Sequence, residues 1–105
     1  MTTSNNRNSS TSSGGTDEGP LVTKGITAGP GGVMTVEVGV ITGDLTLRTT
    51  QRGNQAALAI QYDDADEWYT VHNSPADIPA SKDLHAVHQA MIDAVKKGGG
   101  ATAPN

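Results

Sequence analysis

The chain has 105 residues, 34% of them hydrophobic, no cysteine and a formal net charge of −4 at neutral pH. That length holds one domain, and the missing thiols exclude a disulfide framework and a thiolate metal site, which suits a reducing cytoplasm. Acids outnumber bases from Val33 to Gly98, the reverse of what holding phosphates requires, so nucleic acid is not an expected partner.

Met1 to Gly19 is built from Thr, Ser, Asn and Gly, too little apolar surface to offset the entropy of ordering, so disorder is expected there. It has no apolar core of a secretory leader, and no run in the chain approaches a membrane span; a cytoplasmic protein without membrane contact is expected. Residues 1–32 therefore read as a flexible tail with one short strand at 21–27, where PLVTKGIT alternates weakly. The run Gly29-Pro30-Gly31-Gly32 leads into a strand and not a helix, which makes it a hinge and not a phosphate loop.

From Val33 to His72 apolar residues alternate through what reads as four strands and three turns. Strand period is two, so a valid register keeps apolar residues opposite apolar ones. A Gly43-Asp44 turn sets Val40 opposite Leu47 and Val38 opposite Thr49. A Gly53-Asn54 turn sets Thr49 opposite Leu58, Leu47 opposite Ile60 and Leu45 opposite Tyr62. A loop of Asp63 to Asp66 then places Tyr62 opposite Glu67, Ile60 opposite Tyr69 and Leu58 opposite Val71. The three turns agree on one inner face: Met34, Val36, Val38, Val40, Leu45, Leu47, Leu58, Ile60, Tyr62, Tyr69 and Val71, with Thr49 its polar member.

After Pro75 and Pro79 the period changes. Leu84, Val87, His88, Met91, Ile92 and Val95 form one stripe of a helix from Ser81 to Lys97, capped by Ser81 and stopped by Gly98-Gly99-Gly100 after two lysines. That stripe must cover the inner face of the sheet. The expected fold is α+β: a four-stranded antiparallel β-meander over 33–98 with one C-terminal α-helix packed on one face, and a flexible tail at 99–105.

Chemistry-bearing clusters are sparse. His85 and His88 share a helix side, but His72 lies on the opposite sheet face, so no metal triad is expected. The Asp63-Asp64-Ala65-Asp66-Glu67 run lacks the order of a calcium loop and falls where a turn is required. No nucleophile elbow or zinc-protease helix is present. The expectation is a protein that is not an enzyme and carries no metal or other cofactor.

What remains is surface. Trp68 alternates outward with Thr70 and His72, so the single tryptophan falls on the uncovered sheet face, where aromatic side chains concentrate binding energy. With it the register groups Arg48, Gln61 and, on the first strand, Glu37. Val33 to Ile41 is also an apolar edge strand that can pair with a second copy. The expected function is a small non-catalytic interaction domain, adaptor or regulator. It binds a partner protein or itself, as a homodimer, through Trp68, Arg48, Thr70, His72, Gln61 and Glu37 or through that first strand. A structural assembly component of the virion type and a small-ligand module are the alternatives.

Overall fold

The computed structural model describes residues 20–104. Its elements are β1 (Leu21–Thr27), β2 (Val33–Thr35), β3 (Gly39–Ile41), β4 (Asp44–Arg52), β5 (Gln55–Tyr62), β6 (Tyr69–Thr70), β7 (Ala76–Asp77) and α1 (Leu84–Lys97). One antiparallel sheet runs β1-β4-β5-β6, with β7 also paired to β5, and β2 with β3 forms a separate hairpin. The α+β class, the antiparallel sheet and the C-terminal helix agree with the sequence reading; the strand count does not. The expected disorder of residues 1–19 lies outside the described residues.

Alternation placed β4, β5 and β6 in the register observed. Thr49 faces Leu58, Leu47 faces Ile60 and Leu45 faces Tyr62, and Ile60 faces Tyr69. Beyond β6 the Val71 amide donates to the Leu58 carbonyl, continuing the same phase. Leu45, Leu47, Leu58, Ile60 and Val71 are fully buried. Tyr62, expected in the core, is 41% exposed at the end of β5.

The first expected strand is where the reading fails. Val33 to Ile41 folds back on itself, pairing Val33 with Ile41 and Thr35 with Gly39. Gly39 has φ of 74°, the left-handed backbone that a three-residue hairpin loop needs. Thr35 Oγ1 closes the loop, accepting from the Val38 amide and donating to the Gly39 carbonyl. This inverts the faces: Val33, Thr35 and Ile41 are buried, while Val36, Val38 and Val40 are exposed. Met34 is half-buried.

β1 takes the place beside β4 that had been given to Val33–Ile41, with Leu21 opposite Thr49, Thr23 opposite Leu47 and Ile26 opposite Leu45. The register shifts between Thr23 and Ile26, where Gly25 has φ of 71°. That bulge changes the inward spacing from two to three, so a strict period of two recognises β1 only weakly. The Gly43-Asp44 turn is not a hairpin: it carries the chain from β3 into β4, with Asp44 opposite Thr27.

After Val71 the chain turns through Asn73 and the cis Ser74–Pro75 bond and returns to β5 as β7. Ser74 Oγ accepts the Leu58 amide between these two pairings, so that backbone donor is satisfied. α1 begins two residues later than expected, because Asp83 and not Ser81 is its cap: the carboxylate accepts from the Ala86 amide. Leu84, Val87, His88, Met91, Ile92 and Val95 are its buried residues, and the helix lies across β1 and β4.

The two glycine runs meet. Gly29 donates to Val95 O, Gly99 to Pro30 O, Gly100 to Gly31 O and Ala101 to Gly32 O, which holds the loop before β2 against the end of α1. Ala101 and Ala103 are buried, and Ala103 donates to the His72 carbonyl. Residues 101–104, read from sequence as tail, thus run beside Val33 and His72.

Candidate functional site

Because α1 covers the face carrying Leu47 and Thr49, the alternate residues of β4 and β5 point away from it. Arg48 pairs with Val22 on one side and Ala59 on the other, and Ala59 pairs with Thr70. The Arg48 guanidinium lies 4.3 Å from the centroid of the Trp68 ring. A cation over an indole face at that distance is attracted by the ring quadrupole, and Arg is the residue whose planar group does this best. Arg48 and Trp68 are half-buried, as are the small neighbouring side chains Ala57 and Ala59.

Thr70 joins this row to the valine hairpin. Its amide and Oγ1 both donate to the Glu37 carboxylate, at 2.7 and 2.8 Å. Those two bonds hold the Glu37 carboxyl below the ordinary range, the side-chain bond contributing most. The Val36 amide donates to the Thr70 carbonyl, so the loop is fastened to β6 by backbone as well. Arg48, Trp68, Thr70 and Glu37 therefore form one connected surface, with exposed Val36 and Val38 flanking Glu37. Sequence reasoning placed Glu37 on the outer face of a first strand paired with β4; the hairpin carries it instead to Thr70.

Gln61 sits opposite Thr46 on the same sheet face, half-buried. His72 is exposed, and its backbone bridges Met34 O and the Ala103 amide. Tyr69 donates to Glu67, and burial followed by that contact pushes its phenol up. Sequence reasoning missed Val22, Val36, Val38 and Val40 as surface; the signal that finds the three hairpin valines is Thr35 and Gly39 bracketing three residues.

The remaining clusters are structural. Asp63 accepts from Thr46 Oγ1 and the Gly25 amide, so the acidic turn pins β4 to the β1 bulge. His88 lies between two threonines, with Nε2 2.8 Å from Thr23 Oγ1 and Nδ1 2.7 Å from Thr49 Oγ1. Burial, then the neighbouring His85, pushes its imidazole below the ordinary value. Among the described residues no group of three or more His, Cys, Asp or Glu is placed to hold a metal ion, and no helix is long and apolar enough to cross a membrane. A cleft of about 230 Å³ opens between α1 and β7, lined by Asp77, Pro79, Lys82, Ala86, Val87, Ala90 and Pro104. It is smaller than the roughly 300–1,000 Å³ usual for ligand sites. Compared with protein-family models, curated proteins and solved structures, the chain matches none.

Proposed function

We propose that this is a small non-catalytic protein-binding module, acting in the cytoplasm as an adaptor or regulator. Its contact surface is centred on the Arg48–Trp68 stack and runs through Thr70 and Glu37 to the valine hairpin. The stack carries the reading. An arginine placed 4.3 Å over the ring of the single tryptophan, on the face α1 leaves open, presents an anchor of the kind that dominates interface energetics. The polar contacts along the same surface hold its backbone in place, so little ordering entropy remains to be lost on docking.

Trp68→Ala and Arg48→Ala test the reading in the full chain. Both variants are expected to melt within a few degrees of the parent and to lose cross-linking to the parent's protein partner. The loss expected is at least about tenfold in affinity for Trp68→Ala, as for an interface hot spot. Capture of the same partner at parental affinity by both variants removes the surface.

A further inference from the structure

Four apolar side chains alternate at Met34, Val36, Val38 and Val40, the pattern of a strand face that is meant to be covered. Met34 is half-buried, and no element of the described chain covers the other three: Val36 is 61%, Val38 52% and Val40 49% exposed. The opposite residues, Val33, Thr35 and Ile41, already fill the core, so the hairpin cannot turn over without exposing them.

The backbone says what can lie alongside. The Met34 amide donates to Ala101 O and its carbonyl accepts from His72, so both groups point away from β3. Val33 and Thr35 therefore make the ladder with Ile41 and Gly39, and the N–H and C=O of Val40, opposite Met34, point outward. Among the described residues neither has a hydrogen-bond partner, because β3 pairs with β2 alone. A donor and an acceptor on one strand residue are met together by an antiparallel strand, and a two-fold copy of Val40 supplies both.

Charge favours a copy at this edge over the rest of the surface. With a net charge of −4, two chains repel where carboxylates meet. Between Val36 and Thr42 the only ionisable side chain is Glu37, and its carboxylate is turned onto Thr70. The usual guard of an edge strand, an outward charge, is missing from β3.

We propose that β3 pairs edge to edge with β3 of a second copy, antiparallel about a two-fold axis at Val40, which sets the two Val40 residues opposite each other and Val38 of each copy toward Thr42 of the other. This deepens the protein-binding reading by naming one partner, and it replaces the pairing expected of a continuous Val33–Ile41 strand. The domain's small core makes added burial by association valuable.

Sedimentation of the full chain, with amide exchange followed by NMR over the same concentration series, tests it. The expected result is a concentration-dependent dimer in which Val40 amide exchange slows about tenfold or more as dimer forms. Val40→Lys should stay monomeric with helix content and melting unchanged; if it misfolds, Val38→Lys and the parent's own Val40 exchange still decide. A monomer at every concentration, or a dimer whose Val40 amide exchanges as in the monomer, overturns the pairing. The two readings fail separately. Partner capture lost in Trp68→Ala while the parent stays monomeric removes only the self-pairing, and a Val40-protected dimer with capture unaffected in Trp68→Ala removes only the Trp68 surface.

Discussion

His88 is the residue on which the helix and the sheet edge meet. Its two ring nitrogens reach a hydroxyl on β1 and another on β4, so one side chain fastens both strands to α1. Thr49→Val keeps the shape and leaves Nδ1 without a partner; unfolding in denaturant should show a loss of about 1–3 kcal/mol, the cost of an unpaired buried polar group. The same burial makes stability depend on pH. Since the folded imidazole titrates below its unfolded value of about 6.5, the unfolded chain binds more protons in the interval between them. His88's contribution is complete above about pH 6.5 and is lost as pH falls toward the folded value. Melting curves from about pH 7.5 down to about pH 5.5 should show this decline, and His88→Gln should flatten it. The sequence showed His88 on the apolar stripe and Thr49 as the polar member of the inner face, so both halves of the contact were legible. Thr23 was not, because the bulge at Gly25 hides which β1 residues point inward.

At the scale of elements, the distinction is between patterns that repeat and single residues that change direction. β4 and β5 carry long alternation around one tight turn, and their register could be written from the residues alone. The helix stripe was equally plain, its start being misplaced only because two capping residues, Ser81 and Asp83, stand two apart. Val33–Ile41 alternates just as cleanly, yet Gly39 in the left-handed region folds it into a hairpin, and alternation is blind to one residue's φ. The glycine loops make a related point. A Cβ on Gly29 would collide with the backbone carbonyls of Lys96 and Lys97, and one on Gly98 with that of Pro30, so closeness and not flexibility requires glycine there. Gly29→Ala should lower stability by roughly 1–3 kcal/mol, as overpacking does, read as an earlier denaturant midpoint at unchanged slope. An effect near zero would mean that the two loops separate freely.

For the described residues as a whole, α1, the five-stranded sheet and the β2–β3 hairpin bury a single core, and two surfaces lie outside it: the half-buried Arg48–Trp68 side of the sheet and the exposed outer side of the valine hairpin. The expected site residues divide accordingly. Trp68, Arg48, Thr70 and Glu37 come together, Gln61 borders them on β5, and His72 contributes through its backbone. The division was partly legible, since outward alternation of Trp68 followed from the β5–β6 register, whereas Glu37 reached Thr70 by a hairpin no periodicity marks. The chain has one tryptophan, so its fluorescence reports on the proposed surface alone. Acrylamide quenching of Trp68 in the dilute full chain, repeated with the cross-linked partner bound, is the most direct measurement. The account predicts ready quenching in the free protein and strong protection in the complex. Emission already shielded in the dilute chain, or quenching unchanged on binding, contradicts it.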